Sequence, residues 1–170
     1  MMGKTRVKAA WMAATFFYIG CLKPAPGTLA SIATIPFALL LWRCGAPIYA
    51  AATVFVGFFG YWAVKTVLDN RPVAESGEKA DDDPSYIVVD EVLGALIAAF
   101  LPFSLLQIAI PLPLLALYSF AAFRLFDIFK PFNIGWIDKN IRGAAGVMLD
   151  DAVAGLYAGV GVTLVVLLAL

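Results

Sequence analysis

Six long apolar stretches, separated by short polar connections, dominate the pattern of hydrophobic and polar positions along the chain. They cover residues 7–22, 29–42, 47–68, 87–110, 112–129 and 145–170. A helix needs about 20 apolar residues to cross a bilayer, and the third to sixth stretches reach that length. The first two are shorter, so we expect interfacial, tilted or re-entrant helices there. The pattern predicts an all-α, polytopic membrane helical bundle of about four full spans, with kinks or breaks at Pro102 and Pro111.

The composition supports a membrane-embedded chain. Of the 170 residues, 62% are hydrophobic and 14% are charged, whereas soluble domains contain about 25% charged residues. We therefore expect a single membrane-embedded domain over residues 1–170. Twelve basic and twelve acidic residues leave no net charge, which gives no indication of a nucleic-acid partner.

Two absences restrict the chemistry. The chain has no histidine, which excludes a histidine nucleophile, a histidine base and a histidine-ligated metal. Its two cysteines, Cys21 and Cys44, lack the spacing of a metal site. A thiol phosphatase needs an arginine shortly after its cysteine to hold the phosphate, but Gly27 and Ala50 stand six residues on. Both thiols are therefore interpreted as inert, small apolar side chains.

The charged residues collect on one side of the membrane when the chain is threaded alternately through the apolar stretches. The connections at 20–28, 69–86 and 130–144 then share one face, and all twelve acidic residues belong to it. Most basic residues lie on the same face, which the positive-inside rule identifies as cytoplasmic. A spanning first helix would place Lys4, Arg6 and Lys8 on the opposite face, so we expect this helix to lie partly in the interface.

The stretch KPAPGTLAS, residues 23–31, indicates a turn followed by a helix start. Pro26 and Gly27 favour the turn, and Thr28 is predicted to cap the helix. Free amides at a helix N-terminus, together with the hydroxyls of Thr28 and Ser31, suit an anion such as phosphate. A plain capped helix start is the alternative interpretation.

Two further motifs place adjacent carboxylates against apolar sequence. In DPSYIVVDEVLGAL, residues 83–96, Asp90 and Glu91 suit a hard cation such as Mg²⁺, although acids at a helix start also favour the helix dipole. In RGAAGVMLDDAVAG, residues 142–155, small residues precede Asp150 and Asp151. Adjacent residues differ by about 100° around a helix. We therefore expect one aspartate to bind the metal directly and the other to act through water or to orient a neighbour.

The stretch FRLFDIFKPFNI, residues 123–134, combines charges of both signs. Arg124 and Asp127 lie three residues apart on one helix face, Lys130 follows one turn later, and Pro131 ends the helix. These charges could simply neutralise one another at the membrane edge. The functional interpretation is a phosphate clamp, in which Arg124 binds two oxygens and Lys130 acts as a point charge.

Together the motifs provide carboxylates for a cation, basic groups for a dianion, and hydroxyls to orient it. Phosphoryl transfer requires this combination, because it depends mainly on positioning and charge stabilisation. A site that opens beside lipid predicts a phosphorylated lipid headgroup as the substrate. Asp127, one turn from Arg124, is the acid least needed by the metal, and we expect it to orient or deprotonate a water. Direct attack by Asp127, with an aspartyl-phosphate intermediate, is the alternative.

The motifs also resemble a known family, the phosphatidylglycerophosphatases A. The matching stretches are PAPGTLAS followed by IPF, then DPSYIVVDE, FRLFDIFKPFNIGWIDKN and GAAGVMLDDAVAG, in order between Gly20 and Gly155. The resemblance implies a Mg²⁺-dependent phosphatase of the bacterial inner membrane, with its active site facing the cytoplasm. Its implied reaction converts phosphatidylglycerophosphate, a phospholipid, to phosphatidylglycerol.

The same resemblance implies three groups of functional residues. Asp127 and Asp83 are the expected catalytic residues. The expected phosphate-binding residues are Thr28, Ser31, Arg124 and Lys130. The expected ligands of Mg²⁺ are Asp90, Glu91, Asp150 and Asp151.

Three other functions were compared with this interpretation. A phosphotransferase that uses CDP-activated lipids would need an Asp-Gly pair, and the chain has none. A haloacid dehalogenase needs a buried strand before its aspartates, whereas AESGEKA precedes DDDPS here. An ion- or proton-coupled membrane carrier is the alternative from a different class, but carriers place acids near the midplane and often contain inverted repeats.

Overall fold

The computed structural model describes residues 4–70 and 84–170. Within these ranges the chain forms seven α-helices and one short 3-10 turn, Ile19–Cys21, with no strand. The helices are α1, Lys4–Ala14; α2, Pro26–Arg43; α3, Ala46–Asp69; α4, Val89–Leu106; α5, Leu112–Phe129; α6, Ile134–Asn140; and α7, Gly143–Ala169. The predicted all-α class is confirmed.

Four of these helices, α3, α4, α5 and α7, are long and apolar enough to cross a membrane. They correspond to the four stretches predicted as full spans. Helix α1 has 11 residues and is therefore roughly 16 Å long, much shorter than the hydrocarbon core of about 30 Å. Pro111 lies at the break before α5, as predicted, whereas α4 continues through Pro102.

Helix α4 is the central element of the bundle. In its 18-residue apolar segment 61% is buried inside the protein, against 22–28% of the corresponding segments in the other three spans. Glycines allow α4 and α7 to pack closely. A side chain at Gly155 would overlap the backbone oxygen of Gly94, and one at Gly159 would approach that of Ala98 to 2.9 Å. Small residues commonly permit such backbone contact between membrane helices. The first turn of α4 consequently lies beside the third turn of α7.

The two ends of the bundle differ in chemistry. At one end, the indole nitrogen of Trp42 in α2 donates to Gln107 after α4, at 2.9 Å. The opposite end carries the starts of α2, α4 and α7 and the end of α5. Helix α1 is at this second end, since the amide of Val88 donates to the backbone oxygen of Ala14 at 2.9 Å. The short helix therefore packs beside the charged end and does not form a further span.

Two local predictions need correction. Helix α2 begins at Pro26 with Ala25 as its N-cap and no side-chain capping bond, so the prediction that Thr28 caps it was wrong. Proline fits the first position of a helix, since the missing N–H has no intrahelical partner there. Helix α6 was not predicted, because its seven residues lie between Pro131 and Gly143 and were interpreted as a connection.

Candidate active site

Three carboxylates from two helices meet at the charged end of the bundle. Asp90 and Glu91 occupy the first turn of α4, and Asp151 lies in the third turn of α7. One carboxylate oxygen from each lies within 4.8 Å of the others, and we call these three residues the acidic cluster. Asp90 and Asp151 are only 5% and 4% exposed. Asp127, in the last turn of α5, lies within hydrogen-bonding reach of Asp151 and interacts electrostatically with Glu91.

The acidic cluster has the properties of a site for a hard divalent cation. Buried carboxylates are costly unless a positive charge or hydrogen bonds compensate them. One oxygen of Glu91, Oε2, is buried without a hydrogen-bond partner among the described residues. Oxygen-only ligands suit Mg²⁺ or Ca²⁺, whereas zinc favours the nitrogen and sulfur ligands that are absent from this cluster. The residues present therefore fit the expected Mg²⁺.

The start of α2 packs directly against this cluster. A side chain at Gly27 would overlap the carboxylate of Glu91, so any larger residue there would displace that carboxylate from its place in the acidic cluster. Thr28 is the next residue and is partly exposed. Ser31 is fully buried, and its hydroxyl donates to the backbone oxygen of Gly27 at 2.8 Å. A hydroxyl has one proton to donate, and that of Ser31 is used inside α2.

Asp150 has a different partner from its neighbour Asp151. Its Oδ2 lies 2.8 Å from the ammonium nitrogen of Lys130, the residue that follows α5. The two side chains point in different directions, as expected for adjacent residues of a helix. Asp151 lies in the acidic cluster, and Asp150 lies beside Lys130. Among the predicted metal ligands, Asp150 is the one that the structure places outside the cluster. Its observed partner is therefore a cation and not the acidic cluster.

Lys130 also contacts Asp138 of α6, at 2.6 Å. Burial alone would lower the pKa of Lys130, but the hydrogen bonds and negative charges of Asp138 and Asp150 outweigh it, so the pKa is raised. The ammonium group is therefore protonated at neutral pH. It has three N–H donors, of which two face carboxylates, and the third can bind a phosphate oxygen.

Sequence reasoning did not assign a role to Asp138. It lies eight residues after Lys130 and beyond Pro131, so neither helix nor strand spacing connects the two. The chain folds back between them, with the amide of Gly135 donating to the backbone oxygen of Lys130 at 3.2 Å. The spacing of three residues between Ile134 and Ile137 in IGWIDKN is the one signal that could have indicated a short helix here. Gly27 was likewise interpreted only as a turn residue.

Arg124 and Asp127 form the predicted pair on the last two turns of α5. The guanidinium Nη1 atom of Arg124 lies 2.6 Å from Asp127 Oδ2, and both side chains are mostly buried. The Nε atom of Arg124 is buried and has no hydrogen-bond partner in the described part of the chain. The pair therefore leaves donors of the guanidinium that can bind an oxyanion. Asp83, the other predicted catalytic residue, lies outside the described residues.

The described geometry brings four motifs of the sequence to one place. Carboxylates that fit a cation lie beside an arginine and a lysine that can bind a phosphate group. The acids occupy helix ends, and the midplane arrangement typical of carriers is not observed among the described residues. Groups that bind a cation, groups that bind an anion and an acid–base group at one end of the bundle are the requirements of phosphoryl transfer.

Comparison with known proteins identifies the family. The family model for phosphatidylglycerophosphatase A matches residues 12–166. The Haemophilus influenzae protein named phosphatidylglycerophosphatase A is 32% identical over 84% of this chain and 79% of its own length. The Escherichia coli protein of the same name is 30% identical over 91% of this chain and 84% of its own length.

A third relative carries a different name. A Bacteroides thetaiotaomicron protein, provisionally named phosphatidylinositol-3-phosphatase, is 36% identical over 78% of both chains. No solved structure gives a significant match. Because the family model covers most of the chain and the relatives align over most of their lengths, this membrane protein belongs to the phosphatidylglycerophosphatase A family of phosphatases.

Proposed function

We propose that this protein is a Mg²⁺-dependent phosphatase that hydrolyses phosphatidylglycerophosphate to phosphatidylglycerol and phosphate. The observation that carries the proposal is the acidic cluster, which lies beside the Arg124–Asp127 pair at the end of a membrane bundle. The phosphate of a membrane lipid lies at the bilayer surface, and the end of a membrane-spanning bundle lies there too. The family of the chain supports the reaction, and the chemistry of the pocket supports the cofactor.

Each group of residues has a separate role in the proposed reaction. Asp90, Glu91 and Asp151 would hold the cation, which when bound supplies positive charge to the phosphate oxygens. Arg124 binds two of these oxygens through its planar group, and the free N–H of Lys130 binds a third. Asp150 and Asp138 keep the Lys130 ammonium protonated and fixed. The start of α2, with Thr28, approaches the same phosphate from the side of Glu91.

Asp127 is proposed to act on the attacking water. It accepts the water proton as the new phosphorus–oxygen bond forms and the bond to the lipid glycerol oxygen breaks. The leaving oxygen takes a proton from solvent and becomes the new hydroxyl group of phosphatidylglycerol, and Asp127 returns its own proton to solvent. Arg124, 2.6 Å away, holds the Asp127 carboxylate in place for this role through a charge-assisted contact. An acyl phosphate trapped at Asp127 by hydroxylamine would replace the water route with direct attack by the carboxylate.

The lipid headgroup is tested by comparing substrates. The relatives from Haemophilus influenzae and Escherichia coli are named for phosphatidylglycerophosphate, and the Bacteroides relative for a phosphoinositide. Both headgroups carry a phosphate monoester, so the pocket must discriminate between the groups attached to it. We expect kcat/KM for phosphatidylglycerophosphate to exceed that for phosphatidylinositol 3-phosphate at least about tenfold, equivalent to ~1.4 kcal/mol. Phosphate release in mixed micelles with Mg²⁺ measures both, and preference for the phosphoinositide would contradict the proposed substrate.

The charged end is proposed to face the cytoplasm of a bacterial inner membrane, because most basic residues lie there. The two cysteines provide a test, since both are exposed in the structure. Cys21 precedes α2 at the charged end, and Cys44 follows α2 at the opposite end. In single-cysteine variants, a membrane-impermeant maleimide should label Cys44 in intact spheroplasts and Cys21 only in inverted vesicles. The reverse pattern would place the active site outside.

A further inference from the structure

Three large aromatic side chains are exposed where α5 ends and α6 begins. Phe129 is the last residue of α5, Phe132 lies in the turn that follows, and Trp136 lies in α6. They are 74%, 79% and 61% exposed. Exposed apolar side chains grouped in this way mark contact with a membrane or with another protein. We call these three residues the aromatic patch.

The aromatic patch extends towards the membrane. The ring of Phe132 packs edge-on against the ring of Tyr157, with 5.8 Å between the ring centroids. Tyr157 follows Asp151 by six residues in the spanning helix α7, which places it roughly 9 Å deeper at a rise of about 1.5 Å per residue. Phe132 therefore points from the charged end towards the hydrocarbon core. Aromatic residues favour this boundary, where the ring contacts lipid and a polar edge can meet water.

Helix α6 has an outer face and an inner face. Trp136 and Asp138 are two residues apart, which corresponds to about 200° around a helix. Ile134 lies on the inner face with Asp138 and is only 1% exposed, in a core cluster that includes Phe123 of α5. Asp138 contacts Lys130 at 2.6 Å. The outer face therefore carries Trp136, and the inner face carries the partner of the lysine proposed to bind phosphate.

The backbone also couples α6 to Lys130. The amide of Gly135 donates to the backbone oxygen of Lys130 at 3.2 Å, and a Cβ atom at Gly135 would approach that oxygen to 2.9 Å. Lys130 and Phe132 both have a positive φ, 44° and 55°. Residues other than glycine keep this conformation only where the surrounding structure holds it. A displacement of α6 would therefore release the turn and move Lys130.

We propose that α6 is an interfacial helix, which rests on the bilayer through Phe132 and Trp136 and holds Lys130 in place through Asp138. Trp136 and Asp138 are then positioning residues, because they act on the substrate phosphate only through Lys130. The inference rests on the proposed function, in which Lys130 binds a phosphate oxygen. Contact with the bilayer and correct placement of the phosphate-binding lysine are thereby joined in one short helix.

The position of Trp136 is measured by fluorescence in vesicles. Wild type and Trp136→Phe are reconstituted in phosphatidylcholine that carries bromine in the upper part of its acyl chains. The difference between the two proteins isolates the emission of Trp136 from that of the other tryptophans. We expect bromine to quench this emission strongly. Quenching by aqueous iodide alone would place Trp136 in water, and protection from both quenchers would identify a protein as the occupant. Either result would overturn the proposal.

Kinetics test the link from α6 to the site. Trp136→Ala should lower kcat/KM for phosphatidylglycerophosphate in vesicles about tenfold, since residues coupled through one shared partner commonly show effects of this size. Trp136→Phe keeps an aromatic anchor and should stay within about twofold of wild type. The matched control is Phe58→Ala, because Phe58 is 77% exposed near the middle of α3. Its rate should also stay within about twofold. Unchanged kinetics in Trp136→Ala would overturn the proposal.

A double-mutant cycle shows whether the loss passes through Lys130. In a Lys130→Met background, Trp136→Ala should change kcat/KM by less than about twofold, because the side chain that it positions is already absent. Asp138→Asn should resemble Trp136→Ala in both backgrounds, although bromine should quench its Trp136 as in wild type. Losses that multiply independently would show that Trp136 supports only the fold, and would overturn the proposal.

The two measurements separate this inference from the proposed function. Failure of wild type to hydrolyse phosphatidylglycerophosphate would contradict the proposed function. Fluorescence quenching would still test the placement of α6, because it requires no substrate. An active enzyme whose Trp136 is quenched only from water would retain the proposed function and overturn the interfacial role of α6.

Discussion

Replacing Asp151 with asparagine is expected to reduce phosphate release about 10³-fold, or ~4 kcal/mol of transition-state stabilisation. Asp151 is almost fully buried, belongs to the acidic cluster and lies next to Asp127. Asparagine keeps the size of the side chain but removes the charge that the cation requires. Initial rates with phosphatidylglycerophosphate at saturating Mg²⁺ measure the loss.

The matched control for this variant is Asp69→Asn. Asp69 forms an exposed pair with Lys65 one turn away on α3, and exposed pairs of this kind contribute only about 0–1 kcal/mol. Its activity should remain within about twofold of wild type. Thermal unfolding should show that Asp151→Asn is folded, since asparagine relieves repulsion among buried carboxylates. Wild-type rates in Asp151→Asn would remove the acidic cluster from the reaction.

Replacing Arg124 with lysine is expected to lower kcat/KM more than tenfold, about 1.4 kcal/mol, although the positive charge is retained. The planar guanidinium can hold Asp127 and two phosphate oxygens at once, and an ammonium group cannot reproduce that geometry. The guanidinium contacts Asp127 at 2.6 Å, and its buried Nε atom has no partner among the described residues. It can therefore bind Asp127 and the phosphate at the same time. Steady-state kinetics on phosphatidylglycerophosphate give the ratio directly.

A purely structural arginine would give a different result. If Arg124 only neutralises Asp127, lysine should replace it, and kcat/KM should stay near the wild-type value while thermal stability changes. Lys65→Arg provides the matched control, because Lys65 is exposed and its ion pair does not touch the acidic cluster. Its kinetics should be unchanged. Near-normal kinetics in a folded Arg124→Lys protein would contradict the phosphate clamp.

The membrane spans could be predicted from the sequence because each one depends only on a continuous apolar segment. Each of the four spans is a run of about 20 apolar residues, and lipid requires such a run whatever the rest of the chain does. Convergence of the charged motifs on one end also followed, since alternate crossings bring every second connection to the same face. The end of α5 was predictable as well, because Pro131 cannot continue a helix.

Contacts that depend on the folding of the connections could not be predicted. Adjacent residues differ by about 100° around a helix, so Asp150 and Asp151 were expected to have different surroundings. The sequence does not show which of the two faces the acidic cluster. The bond between Lys130 and Asp138 depends on α6 folding back after Pro131. Likewise, the contact that a larger side chain at position 27 would disturb is with Glu91, a residue 64 positions later in the chain. Such contacts are determined by packing between helices that are distant in sequence.

Mg²⁺ titration of the metal-free enzyme tests the central claim most directly. Purified wild-type protein is treated with EDTA in detergent, dialysed, and assayed for phosphate release from phosphatidylglycerophosphate as Mg²⁺ is added. We expect no release without metal and full recovery with Mg²⁺, since the buried carboxylates of the acidic cluster require a cation before they can accept an anionic substrate. Full turnover by the metal-free protein would contradict this account of the site.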